Sequence, residues 1–232
     1  MQNILVYPSF SSDVGIYASE YLSAQGIPVI DHISPDITHL LTDIPTREIS
    51  EELLTRLPEN VCVVGGNLDI PVLAKHRRID LLKSKWYLSR NAAITAECAL
   101  QVAAAEMNTV FYNSSILIIG WGRIGKCLAH LLKAIGARVT IAARKEEDRS
   151  MAEALGYNSI SPGILPDGCQ IVFNTVPAPV MEANPHCLNI DLATRQVNLG
   201  DHVIQARGLP GKYAPKSSGQ LIGKAFLREV MV

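Results

Sequence analysis

Short apolar runs alternate along this chain with stretches in which apolar residues recur every three or four positions. Residues 3–7, Asn-Ile-Leu-Val-Tyr, predict a buried strand. After them Val14, Tyr17, Ala18, Tyr21 and Leu22 share one helical face, which Ser12 or Asp13 can cap and Gly26 ends. Residues 27–30 predict a second strand, placed at an edge by Pro28, and residues 38–42 a third. A helix with acids in its first turn is predicted over 48–57. A strand closing on a glycine turn follows over 60–66. Residues 71–82 read as a partly basic helix, 84–90 as a break, and 91–106 as a long Ala-rich helix capped by Asn91.

The pattern sharpens after Ser114. Ile116-Leu117-Ile118-Ile119 is an unbroken apolar run, the mark of a strand covered on both faces. Ile124, Leu128, Leu131, Leu132 and Ile135 then share a helical face that Gly136 closes. Further strands are predicted over 138–143, 170–175 and 188–193, with one more short strand or turn over 202–206. Helices are predicted over 151–155 and 217–231. Strands alternating with helices imply an α/β fold with mostly parallel sheets. The organisation expected is a small α/β domain over 1–88, a connector helix over 89–112, a nucleotide-binding domain over 113–215 and a terminal helix over 216–232.

A length of 232 residues accommodates two such domains, and 48% hydrophobic residues supply a core for each. The formal net charge of −1 lacks the cationic excess that nucleic-acid binding needs. No apolar run approaches the ~20 residues that span a bilayer, and no signal peptide is expected before Pro8. The five cysteines are widely spaced with no C-x-x-C pair, so neither a metal site nor a disulfide framework is expected, and the cytoplasm is the simplest compartment.

The sharpest chemical signal is Gly120-Trp121-Gly122-Arg123-Ile124-Gly125, set between a predicted strand and a predicted helix. In that context G-x-G-x-x-G is a dinucleotide-binding turn of a Rossmann-type doubly wound parallel sheet. The first glycine permits the tight turn, the second the approach of a diphosphate, and the third close helix–strand packing. Arg123 either contacts the diphosphate or covers the helix start. An NAD site ends its second strand with a carboxylate that binds the ribose 2′-hydroxyl. Here Ala142-Ala143-Arg144-Lys145 stands there, and a guanidinium suits a 2′-phosphate. NADP is therefore favoured over NAD, although Glu146, Glu147 and Asp148 nearby leave NAD open. Ligands of such sheets lie beyond the carboxyl ends of the strands. This nominates Asn174, Thr175, Val176 and Pro177 in one loop, Asp191, Ala193 and Arg195 in a second, and residues 208–216 as a third.

Several segments together resemble the dipicolinate synthase family, in particular its nucleotide-binding component. They are Asn91-Ala92-Ala93-Ile94-Thr95-Ala96-Glu97, the glycine turn, residues 136–144, Phe173-Asn174-Thr175-Val176-Pro177-Ala178, Ile190-Asp191-Leu192-Ala193, and Gly208-Leu209-Pro210-Gly211-Lys212-Tyr213-Ala214-Pro215-Lys216. The resemblance runs from about residue 90 to about residue 221. It implies an NADP-linked oxidoreductase of bacterial spore formation that oxidises dihydrodipicolinate to dipicolinate beside a flavoprotein-like B subunit. It also implies a smaller flavodoxin-like α/β domain next to the Rossmann domain, an architecture resembling D-2-hydroxyacid dehydrogenases. The chain departs from the family in three places. Residues 7–13 lack its Gly-Asp-x-Arg-like motif, Cys98 replaces a glycine, and residues 194–201 replace its Pro-Gly-Gly-Thr-Asp run.

Such a reaction would use the protein to align two rings and help remove a proton. A dicarboxylate substrate calls for cations, of which Lys216 comes first and Arg90 second, ahead of Arg195, Arg207 and Lys212. Glu97 is a candidate general base or a partner for one of these cations, and Thr95 lies in the same helix. Asn174 and Thr175 are candidates for hydrogen bonds to the nicotinamide ribose or to an active-site water. The expected assembly is a homo-oligomer. A non-catalytic NADP-binding subunit or sensor, and a dehydrogenase for another small carboxylate, stay open as alternatives.

Overall fold

The computed structural model describes residues 4–194 and 200–231. The chain forms two compact units, Met1–Asn91 with Pro210–Val232 and Ala92–Leu209. The first unit contains β1 (Val6–Ser9), α1 (Val14–Ala24), β2 (His39–Thr42), α2 (Glu51–Arg56), β3 (Cys62–Gly65) and β4 (Arg77–Asp80). Its four strands are parallel in the order β1-β2-β3-β4. Strands β2 and β3 are buried throughout, and Leu40, Val61, Val63, Leu68 and Leu73 form much of the core beside them.

The predicted second strand is reduced to one parallel bridge, Val29 to Val6. The Val6 N–H donates to the Pro28 carbonyl and the Ile30 N–H to the Val6 carbonyl, each at 3.0 Å. Counting that bridge, the order is that of a flavodoxin-like sheet. Helix α2 is shorter than the spacing implies. It starts after Ser50, whose hydroxyl accepts from the Leu53 N–H at 3.1 Å.

Residues 71–82 do not form the predicted helix. Pro71–Leu73 is a single 3₁₀ turn, and Arg77–Asp80 pairs along β3. The open edge of β3 needs partners for its backbone groups, and that demand outweighs the helical spacing. The Asp80 carboxylate then accepts from the Leu68 and Leu82 N–H groups and fixes the strand end.

Helix α3 (Lys85–Glu106) also begins earlier than predicted. Ser84 starts it: its carbonyl accepts from the Leu88 N–H at 3.0 Å and its hydroxyl from the Tyr87 N–H at 3.4 Å. Residues 85–90 contain no proline or glycine to interrupt the helix, so Asn91 lies within it rather than at its cap.

In the second unit come β5 (Ser115–Ile119), α4 (Arg123–Ala134), β6 (Arg138–Ala142), α5 (Glu146–Ala154), β7 (Asn158–Ile160), β8 (Ile171–Asn174), β9 (Leu188–Asp191) and β10 (Val203–Gln205). All six strands are parallel, in the order β10-β9-β8-β5-β6-β7. This is the doubly wound Rossmann order, with its switch point between β5 and β8. Helix α4 packs on β5 and β6, and α5 on β6 and β7. Strand β7 has no counterpart among the predicted strands. Helix α5 is longer than predicted because Glu146, Glu147 and Asp148 fill its first turn, where acids suit the helix dipole.

The third predicted loop contains a short helix, α6 (Leu209–Tyr213), before α7 (Pro215–Val230). Helix α7 packs on α1 in the first unit. Gly219 makes the approach possible: a β-carbon there would lie 2.5 Å from the Val14 carbonyl oxygen and 2.8 Å from the Ala18 nitrogen. Phe226 of α7 is fully buried and meets the His39 ring edge-on at 5.4 Å. Among the described residues no helix is long and apolar enough to cross a membrane.

Candidate dinucleotide site

Because the second sheet is parallel, the carboxyl ends of β5, β6, β8 and β9 share one edge. The glycine turn leaves β5 there, on the predicted plan. Gly120 has φ +106°, a conformation in which an L side chain is strained, and its N–H donates to the Ala142 carbonyl at the end of β6 at 2.9 Å. Gly125 lies directly against the Gly120 carbonyl oxygen, so the third glycine is the packing glycine. Gly122 is the exposed N-cap of α4, and a β-carbon there would meet nothing within 4 Å. The Lys126 N–H makes the first bond of the helix, to the Gly122 carbonyl at 3.0 Å. The amides of Arg123, Ile124 and Gly125 thus form the open first turn, where a helix offers N–H groups and partial positive charge to an anion. Arg123 is exposed and Ile124 half-buried. An open backbone at the middle glycine and an uncrowded helix start fit a diphosphate.

Trp121 lies within the turn with its side chain buried. Its indole is 7% exposed, edge-on to Tyr157 at 5.6 Å, with the Lys126 ammonium 5.6 Å from the ring. Its Nε1 is buried without a hydrogen-bond partner among the described residues. Arg144 and Lys145 are both exposed just beyond β6. Arg149 shapes that turn by donating to the carbonyls of Ala143 and Arg144 at 2.8 and 2.9 Å.

On the other side of the switch point, Thr175 donates its hydroxyl to the Ile119 carbonyl at 2.8 Å. Its Oγ1 and the Val176 side chain close over Gly120, at 2.5 and 2.7 Å from where a β-carbon would stand. Asn174 is buried and holds Val176 from both sides, donating to its carbonyl at 3.0 Å and accepting from its N–H at 3.2 Å. Asn174 also donates to Asp191 Oδ1 at 2.7 Å, and the Ala193 N–H reaches the same oxygen at 3.1 Å. Pro177 is exposed beyond this knot.

Arg207, a candidate for a substrate carboxylate, instead stands 3.6 Å from Asp191 Oδ2, as an ion pair. Sequence reasoning misses this pairing because the two residues lie in different loops with no spacing rule between them. Arg195 lies outside the described residues.

The nominated chemical residues divide between the two units. Lys216, at the start of α7, and Arg90 belong to the first; Thr95 and Glu97 belong to the second. Lys216 and Glu97 are exposed and Thr95 is buried. The Arg90 guanidinium lies 4.3 Å over the Trp86 ring. The Lys212 ammonium lies 5.0 Å over Tyr213. Among the described residues no cluster of His, Cys, Asp or Glu can hold a metal ion.

Comparison with known proteins agrees with this geometry. Residues 80–192 match the D-isomer specific 2-hydroxyacid dehydrogenase NAD binding domain. The dipicolinate synthase protein of Bacillus subtilis (strain 168) that forms the first of that enzyme's lettered components is 24% identical over 201 residues, which are 77% of this chain and 67% of that protein. The crystal structure of the same dipicolinate synthase component from Bacillus subtilis superposes with TM-score 0.82 at 19% identity, covering 100% of this chain and 97% of that one. Its counterpart from Bacillus halodurans gives TM-score 0.80 at 18% identity, covering 97% and 96%. The chain thus shares the fold of this dipicolinate synthase component and resembles it in sequence, and its residues 80–192 are similar to the NAD binding domain of the D-isomer specific 2-hydroxyacid dehydrogenases.

Proposed function

We propose that this chain is an NADP-linked oxidoreductase that oxidises dihydrodipicolinate to dipicolinate. The observation that carries the reading is the glycine turn at the switch point of a Rossmann-ordered sheet, in a chain similar to a dipicolinate synthase component. The amides after Gly122 receive the diphosphate, with Arg123 beside them. Arg144, where an NAD site carries an acid, pairs with the 2′-phosphate, and Lys145 adds to the local charge. Asn174, Thr175, Val176 and Pro177 form the floor for the nicotinamide half. NADP held by these residues would supply a hydride acceptor, so that loss of a hydride and a proton from the dihydropyridine ring would leave the aromatic product.

The dicarboxylate requires cations, a task assigned to Lys216 and Arg90 of the first unit; in the second unit Glu97 is assigned the role of proton acceptor and Thr95 a further catalytic role. The reaction takes place in the cytoplasm, and the partner is a flavoprotein-like B subunit. The test is turnover of freshly prepared dihydrodipicolinate with NADP, with and without such a partner. NADPH formation supports the assignment. Silence in both cases alongside tight NADPH binding assigns a non-catalytic nucleotide-binding role instead.

A further inference from the structure

Asp191 is the one charged residue of the dinucleotide edge, among the described residues, with no exposed surface at all. A group so buried does not reach a nucleotide directly. Its oxygens are also treated unequally. Oδ1 accepts from Asn174 Nδ2 and from the Ala193 N–H, whereas Oδ2 has no hydrogen bond among the described residues and faces the Arg207 guanidinium, at 3.6 Å. A buried carboxylate is costly unless hydrogen bonds and an opposite charge compensate it. Here the compensation draws three chain segments to one point: the end of β8, the end of β9 and the turn after β10. The Asp191 carbonyl adds a further tie by accepting from the Ala206 N–H at 2.9 Å.

In a doubly wound sheet the half beyond the switch point receives the second nucleotide. We propose that Asp191 is a positioning residue for the nicotinamide half: acting through Asn174 and balanced by Arg207, it locks the Asn174–Val176 turn in the one shape that seats the nicotinamide riboside. The inference rests on the dinucleotide reading above. It assigns to Asp191 and Arg207 a joint task that neither direct cofactor contact nor substrate binding describes. The adenosine half, held by the glycine turn and the end of β6, does not depend on this knot.

That asymmetry supplies the test. NADPH and 2′,5′-ADP, which lacks the nicotinamide half, are titrated calorimetrically into the wild-type chain, Asp191→Asn and Arg207→Gln, with thermal melting of each. In Asp191→Asn, NADPH affinity falls about tenfold, the loss of one charged hydrogen-bond relay, while 2′,5′-ADP stays within about twofold. Should Asp191→Asn fail to fold, Arg207→Gln at the more exposed end of the pair is read in the same way. Unchanged NADPH affinity in the folded variants, or equal losses for both ligands, overturns the proposal. A wild-type chain that binds neither ligand overturns the dinucleotide reading itself. A wild-type chain that binds both, with variants that match it, removes only the role of Asp191.

Discussion

Gly125 sits so close under the carbonyl oxygen of Gly120 that no β-carbon fits between them. The last glycine of the motif is therefore fixed by helix–strand packing and not by the ligand. Gly125→Ala should lower stability by about 1–3 kcal/mol, the usual cost of overpacking, because the obstructing atom is backbone and cannot turn aside. Thermal melting checks the loss. Nucleotide titration should show weakened binding, since the turn itself must shift.

Gly122 obeys the opposite logic. Its φ is −81°, its side-chain direction is empty, and it caps α4. Aspartate is a preferred N-cap residue, so Gly122→Asp should keep or slightly raise the melting temperature. Its carboxylate, however, would occupy the diphosphate's place at the helix start. Calorimetry should find no NADPH binding in a variant that melts normally.

The proposed preference for NADP is tested at Arg144. Arg144→Ala should weaken NADPH by ~1–3 kcal/mol, the worth of a charged hydrogen bond, and leave NADH nearly unchanged. Equal losses in parallel binding isotherms would remove the 2′-phosphate contact.

Stability should fall on both sides of neutrality. Burial, with a smaller contribution from the Arg77 charge, holds the His39 imidazole below its ordinary 6.5. The folded chain then binds fewer protons than the unfolded one below about pH 6.5, and stability is lost as pH falls through that region. Burial pushes the Cys169 thiol from 9.0 up to about 12. The folded chain keeps that proton when the unfolded chain has released it, so stability is lost as pH rises from about 9 towards 12. A melting series across pH 5–10 should show a plateau between the two slopes, and His39→Asn should flatten the acid one.

The second unit is readable in advance because its signals are local. Ile116–Ile119 reads as a strand covered on both faces because a glycine turn follows it at once, and the spacing of Gly120, Gly122 and Gly125 states its own geometry. The first unit is harder to read where structure depends on distant partners. Arg77–Asp80 is a strand because β3 has a free edge, which no periodicity within 71–82 records. Ser84, rather than Asn91, starts α3, because a helix continues until something stops it and residues 85–90 contain nothing that does. In the site, the nominations at Asn174, Thr175 and Asp191 fall together at one sheet edge. The ion pair of Asp191 with Arg207 joins two loops through folding alone, and so leaves no trace in spacing.

Helix α7 lies against α1 although the whole nucleotide-binding unit separates them along the chain. Val14 and Ala18 of α1 are buried where Gly219 of α7 comes up against them, so neither helix covers its face alone. The nucleotide-binding unit is instead contiguous from Ala92 to Leu209. The first unit is thus stitched from two stretches of chain far apart in sequence, so its completion depends on long-range contacts that the second unit does not need.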